Sequence, residues 1–297
     1  TTLPCPRGKA GRSCLVTLLS RWSFDSVRAW SQRAFRECAA FGRGLVAAAL
    51  DLVYPPPLRC GLCRGPASLS LEVALCTACL ERLVPITSRC DLCGRAMARP
   101  RTRRGERVLC HQCRTAPPAL DYARAYASYQ GYMRALIHSL KYRGELWIAQ
   151  GLGELLAWMV AVDPGFQGVQ LIVPVPLHPQ RERERGFNQA AAIAQVAGSL
   201  LGVPVVEAVV RTRETRPQTS LSWQERLQNL RGVFDVPSPQ RVRGRSVLIV
   251  DDVYTTGATA SGVALALKRA GSRRVCGAFA AASSLERDFL DAGARGV

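Results

Sequence analysis

Residues 246–259 read Ser246-Val247-Leu248-Ile249-Val250-Asp251-Asp252-Val253-Tyr254-Thr255-Thr256-Gly257-Ala258-Thr259. Val247, Leu248, Ile249 and Val250 form a short β-rich apolar run, consistent with a parallel strand buried on both faces. Two carboxylates follow at once, then a loop of small hydroxyl residues around Gly257. Residues 260–270 put Val263, Ala264, Leu267 and Ala270 on one face of a helix. Gly271 ends it, and residues 273–280 read as the next strand. A strand, a loop rich in backbone N–H groups and a helix N-terminus together make an anion site. The amides point at the ligand, the helix dipole adds positive potential, and Gly257 lets the backbone approach. Asp251 and Asp252 repel a phosphate but suit hydroxyls or a metal beside it. The stretch is therefore a candidate cradle for a sugar phosphate, with the phosphate at 255–259 and the hydroxyls on the aspartates. A plain strand, turn and helix would explain the apolar pattern but not two adjacent acids, which are costly at a strand end without a partner.

Residues 169–177 have a related construction. They read as a strand with Pro174 and Pro176 near its end, where missing donors matter least. Arg181, Arg183 and Arg185 follow in a charged loop, and residues 190–201 form a helix closed by Gly202. A strand end, an arginine loop and a helix N-terminus make a second anion site; the bland alternative is a charged turn with Arg–Glu surface pairs. Residues 203–210 read as a strand, and the polar, basic 211–231 as a long loop able to close over a ligand. Upstream, 121–130 reads as a strand, and 131–142 and 148–160 as helices. His138 reads as a helix-surface residue and not a ligand. Strands alternating with helices predict an α/β fold, a mainly parallel sheet flanked by helices.

Twelve cysteines in 297 residues need a reason. Eight stand in four Cys-x-x-Cys pairs: Cys60 and Cys63, Cys76 and Cys79, Cys90 and Cys93, Cys110 and Cys113. Such a turn puts two sulfurs on one metal, and four thiolates close a tetrahedral site. Two structural Zn²⁺ ions are expected, with iron–sulfur as the alternative. Spacing permits sequential ribbons or a cross-brace; sequential ribbons are preferred. The pairs also point to a reducing compartment. The formal net charge is +18, and only Lys9, Lys141 and Lys268 among the 40 basic residues are lysine. That balance suits nucleic acid or phosphorylated small molecules and does not choose between them. The arginines of 95–107 make either a solvated face or a nucleic-acid contact. No secretory signal or membrane span is evident, since the apolar stretch at 45–54 is short and broken by Asp51, so a cytoplasmic protein is expected. The expected organisation is a basic, disordered or loosely helical extension over 1–40, a helix plus cysteine-rich double zinc module over 41–118, a hood or connecting segment over 119–165, and the core over 166–297.

The 246–259 stretch resembles the loop that binds 5-phosphoribosyl-1-pyrophosphate (PRPP) in type I phosphoribosyltransferases. Residues 45–282 as a whole resemble the ComF/GntX-like phosphoribosyltransferases. The matching pieces are Pro57-Leu58-Arg59-Cys60, Leu140-Lys141-Tyr142-Arg143-Gly144, Pro174-Val175-Pro176-Leu177, Arg185-Gly186-Phe187-Asn188-Gln189 and the 251–259 loop. The resemblance implies a type I phosphoribosyltransferase fold behind a zinc module, and displacement of pyrophosphate from PRPP by a nitrogen acceptor that the sequence does not identify. It implies that Thr255, Thr256, Gly257, Ala258 and Thr259 hold the 5′-phosphate and Asp251 and Asp252 the ribose hydroxyls. Arg181, Arg183 and Arg185 would face the pyrophosphate, joined by Arg211, Arg213 and Arg226, with Mg²⁺ on the pyrophosphate and ribose oxygens. Some members of the family act in natural competence and DNA uptake, which implies single-stranded DNA or competence proteins as partners. The alternatives are a single-stranded DNA-binding protein that keeps the fold without catalysis, and a PRPP-sensing regulator.

Overall fold

A computed structural model describes residues 59–67, 75–97, 107–212 and 232–283. The extension at 1–40, the helix expected at the start of 41–118, Arg213 and Arg226 lie outside them. After two short helices in the cysteine module, α1 (Thr77–Arg82) and α2 (His111–Thr115), the chain runs β1 (Tyr122–Ser128), α3 (Gly131–Arg143), α4 (Trp147–Val162), β2 (Leu171–Pro174), α5 (Pro179–Arg185) and α6 (Gln189–Leu201). It continues through β3 (Val210–Arg211), β4 (Phe234–Asp235), β5 (Ser246–Tyr254), α7 (Ala258–Arg269) and β6 (Arg274–Ala282). Four strands form one sheet in the order β1-β6-β5-β2, and every neighbouring pair is parallel. β3 and β4 make a separate antiparallel pair.

The central strands are apolar on both faces, so both faces must be covered. Along β5, Val247 and Ile249 join one core while Leu248 and Val250 join the other, as the two-residue side-chain period requires. The first core is closed by α7, through Val263, Ala264 and Leu267. The second is closed by α3, α4 and α6, through Leu136, Leu140, Leu152, Leu156 and Ile193. α4 is the most apolar of the described helices, and it lies buried against α6 and the sheet. Among the described residues no helix is long and apolar enough to cross a membrane.

Three segments differ from expectation. Residues 119–165, expected as a hood or connecting segment, supply β1, which pairs with β6 from Tyr122↔Cys276 to Ser128↔Ala282, and two of the helices that cover the sheet. Residues 203–210, expected as a strand, make one bridge, Val205 to Ile172, before β3 begins at Val210. Pro204 has no N–H to extend that ladder, though its carbonyl accepts from Ile172 at 2.9 Å. The arginine loop at 181–185 is a helix. Pro179 begins it, His178 Nδ1 accepts the Gln180 N–H at 3.3 Å, and Gly186 ends it in the left-handed region.

The eight paired cysteines gather sequentially: Cys60, Cys63, Cys76 and Cys79 in one cluster, Cys90, Cys93, Cys110 and Cys113 in the other. Within each, the sulfurs lie within 4.8 Å of one another. Cys63 Sγ is 3.7 Å from Cys76 Sγ, and Cys93 Sγ is 3.8 Å from Cys110 Sγ. The edge of a zinc–thiolate tetrahedron is about 3.8 Å for a Zn–S bond of about 2.3 Å, so both clusters fit structural zinc. They are not appendages. Cys60 and Cys79 are buried in the core beneath α3 and α4, where a side chain on Gly61 would lie 2.8 Å from the Gly151 backbone. The second cluster is buried in the core on the α7 face.

A buried thiolate cluster that completes a core predicts a large effect of one ligand. Cys93→Ser should lose one of two bound zinc ions and lower the melting temperature by about 10 °C or more. Metal analysis and thermal unfolding test this, and two retained zinc ions with unchanged melting would refute the assignment.

Candidate functional site

The acid pair lies within β5, two residues before its end at Tyr254, and the loop follows. Asp252 is only 2% exposed. Lys141 Nζ, from the last turn of α3, lies 2.9 Å from Asp252 Oδ1 and 2.8 Å from Oδ2. Asp251 is half-buried, and its Oδ1 accepts the backbone N–H of Asp252 at 2.8 Å. Burial pushes the Asp251 carboxyl up to about 7, and the adjacent Asp252 charge pushes the same way against Lys141 and Arg185. Burial alone would lower the Lys141 ammonium, but Asp252 and Asp251 outweigh it and hold it above the ordinary lysine value. Two carboxylates thus share one buried ammonium. An ionised Asp251 carries charge that a hydroxyl donor or a hard cation would relieve, which is the fit expected for ribose oxygens or Mg²⁺.

The loop turns back under itself. Gly257 has φ +80°, and a Cβ there would lie 2.2 Å from Tyr254 Oη, so both its conformation and its space demand glycine. Tyr254 is buried beneath the loop, with its ring 4.7 Å from that of Phe279. Thr256 Oγ1 accepts the Ala258 N–H at 3.4 Å, and Gly257 O accepts from Ser261 at 2.8 Å as α7 begins. Residues 255–259 therefore lie at the N-terminus of a twelve-residue helix, the arrangement that favours anions.

The arginines separate. Arg185 contributes to the field at Asp251, stands 5.8 Å from the Tyr142 ring centroid and donates to Gln189 Oε1. Arg181 and Arg183 are exposed on α5. Arg211 stands 5.9 Å from the Phe234 ring and lines a cavity of about 150 Å³ with Pro174, Pro176, Glu182 and Glu207. Asn188 is a pin: its Oδ1 caps α6 through the Ala190 N–H at 2.9 Å, and its Nδ2 donates to Val175 O at 3.0 Å. His138 is exposed, its ring 4.5 Å from that of Tyr142.

Sequence reasoning missed three residues here. Lys141 sits in the 140–144 motif, and its rarity as a lysine in an arginine-rich chain was the available signal. Arg95, grouped with a solvated or nucleic-acid-facing loop, is 1% exposed and donates to Thr255 O. Gln112 Nε2 donates to Thr256 O at 2.9 Å.

Residues 49–114 match the double zinc ribbon domain. Over 223 residues the chain is 34% identical to the DNA utilization protein YhgH of Salmonella typhimurium, covering 74% of this chain and 94% of that one. The chain belongs to the ComF-like phosphoribosyltransferase family. Competence protein F of Haemophilus influenzae is 29% identical over 73% of this chain and 93% of its own length. Among solved structures, the glutamine PRPP amidotransferase of Bacillus subtilis, complexed with ADP and GMP, is 22% identical over 44% of this chain and 26% of its own, with a TM-score of 0.31. In this ComF-like chain the parallel sheet, its helices and the double ribbon form the common body that carries the acid pair and its loop.

Two predictions follow from the ion pair. Lys141→Met leaves Asp252 buried without its cation and should destabilise the fold by about 3–5 kcal/mol in chemical denaturation. Adding Asp252→Asn should recover most of that loss, and a Lys141→Met variant as stable as wild type would contradict the pair's role. Asp251 has a folded pKa above its unfolded one, so its favourable contribution is complete at low pH and is lost as pH rises toward and through about 7. The stability advantage of Asp251→Asn over wild type should therefore grow, by on the order of 2–4 kcal/mol, between pH 5 and 8. A pH-independent difference would show that Asp251 is not raised.

Proposed function

We propose that the protein binds PRPP, as its Mg²⁺ complex, along Asp251, Asp252 and residues 255–259, and transfers the phosphoribosyl group to a nitrogen acceptor in a process tied to DNA uptake. The observation that carries this is the acid pair near the end of β5, with Asp252 buried and held by Lys141, followed by a glycine loop at a helix N-terminus. The 5′-phosphate would accept from the loop amides, and the ribose hydroxyls would donate to the acid pair. Lys141 Nζ holds the Asp252 carboxylate at 2.8–2.9 Å, so its acceptor oxygens are oriented before ligand arrives. The acceptor nitrogen forms a bond to C1 as the C1–O bond to pyrophosphate breaks, and pyrophosphate leaves with the electron pair. Asp251, with a proton affinity near neutrality, suits acceptance of the nitrogen's proton. Mg²⁺ would supply charge neutralisation on the leaving pyrophosphate. Arg185, which contributes to the field at Asp251, would face it. The tie to DNA rests on what the relatives are called, a DNA utilization protein and a competence protein.

A second reading has its own observation. Tyr142, which follows Lys141 in the chain, is 69% exposed, and Trp147 is 37% exposed with Arg64 5.2 Å from its ring. Aromatic faces with arginine beside them suit stacked bases of single-stranded DNA, which would make the fold a binding protein without turnover.

Calorimetry with PRPP and Mg²⁺ separates these readings. Wild type should bind, and Asp251→Asn with Asp252→Asn should weaken binding by about a hundredfold or more, roughly 3 kcal/mol. Absence of binding to wild type would remove both the transferase and a PRPP-sensing role. Pyrophosphate release across a panel of nitrogen bases then tests turnover, and a salt-dependent oligonucleotide shift tests the second reading.

A further inference from the structure

Two side chains of the second zinc ribbon, Arg95 and Gln112, reach the anion loop. Arg95 stands two residues after Cys93 and is 1% exposed. Its Nη2 donates to Thr255 O and its Nη1 to Gln112 Oε1 at 3.1 Å, and its guanidinium lies 5.3 Å from the Tyr254 ring centroid. Gln112, between Cys110 and Cys113, uses its amide to donate to Thr256 O at 2.9 Å. Both residues are fixed by the metal knuckles. Cys90 N–H donates to Arg95 O at 2.9 Å, and Cys110 Sγ accepts the Cys113 N–H across the turn that carries Gln112.

A trans peptide points its C=O and the next N–H in opposite directions. Holding Thr255 O and Thr256 O toward the ribbon therefore turns the N–H groups of Thr256 and Gly257 away from it, toward the open side of the loop. A carbonyl that accepts from a guanidinium also polarises its own peptide unit and strengthens the opposite N–H as a donor. We infer that the second zinc ribbon is a clamp on the anion loop: Arg95 and Gln112 preset the amides of Thr256 and Gly257, and metal occupancy at Cys90, Cys93, Cys110 and Cys113 is thereby coupled to ligand affinity. Arg95 and Gln112 are positioning residues, since they act through the loop carbonyls. The ligand half of this coupling rests on the phosphosugar reading above; the loop half does not.

The test uses the full-length, zinc-loaded protein. Gln112→Leu keeps the side-chain bulk and removes the amide; Arg95→Lys keeps the charge and removes the fork. Both should retain two zinc ions, while amide hydrogen exchange at 255–259 accelerates about tenfold or more. Tyr132→Phe, which removes the 3.1 Å contact to Cys79 Sγ in the first ribbon, should leave that exchange unchanged. In calorimetry with PRPP and Mg²⁺, Gln112→Leu should bind about tenfold more weakly. By reciprocity, PRPP should tighten one of the two zinc ions against a competing chelator in wild type, and this effect should shrink in Gln112→Leu. Unchanged exchange at 255–259 in both Gln112→Leu and Arg95→Lys, with two zinc ions retained, overturns the clamp. If exchange responds but wild type binds no PRPP, the clamp stands and the ligand assignment falls.

Discussion

A parallel strand that is apolar on both faces has to be covered on both, and Ser246–Tyr254 is such a strand in the middle of the sheet. One face is covered by three helices. The other is covered by α7, with the second cysteine cluster built into the same core. The first cluster is built into the opposite core. The two ribbons therefore occupy the two faces of the same sheet, and each is part of the covering. A metal ribbon cannot maintain an apolar interior of its own at this size. Docked in this way it gains a core from the sheet and gives the sheet side chains that no helix on that face supplies.

The cost of the site is concentrated near the C-terminal end of β5, where the strand is still paired with β6. Asp252 is buried on the strength of one ammonium, and Asp251 has no cation of its own. A buried pair broken on one side loses about 3–5 kcal/mol, whereas an intact one is close to neutral. Lys141 is thus a condition for having the acid pair at all. It is contributed by a helix that also packs Met133, Leu136, Ile137 and Leu140 against the sheet. The position of the charge is consequently set by the apolar face of α3, a rigid support of the kind a preorganised site needs.

What could be read from the sequence was local. α7, β6 and the start of β5 were legible to within about two residues because an apolar run, a glycine stop and a helical period all lie within 37 residues, whereas β5 continues four residues past Val250 and takes in the acid pair. Four Cys-x-x-Cys pairs announced metal, and proximity along the chain favoured the sequential grouping that the sulfurs adopt. The contacts that make the site are distant. Lys141 and Asp252 are 111 positions apart, and Arg95 and Thr255 are 160. No period or spacing carries such a pairing, because it is decided by which faces of a helix and a ribbon meet the sheet edge. Residues 181–185 were misjudged for a different reason. Alternating Arg and Glu gave no apolar face to mark a helix, and the informative signal was Pro179 after His178. Residues 203–210 carried the right composition for a strand, but Pro204 limits the ladder to one bridge.

The net charge of +18 also changes meaning once the arginines are placed. Arg95 is spent on Thr255 O and Gln112, and Arg124 on Asp163, Asp91 O and the face of Tyr122. Arg274 satisfies the carbonyls of Gly165 and Gln167. In each case a planar fork with several donors closes an irregular turn or ribbon whose carbonyls have no ladder partner, a task an ammonium does less well. The two lysines with described partners do the opposite work, as point charges on Asp252 and Asp121. These three arginines are therefore structural, and the net charge alone does not measure nucleic-acid affinity. Arg181 and Arg183, by contrast, remain exposed on α5, where Arg185 stands 5.8 Å from the ring of the exposed Tyr142.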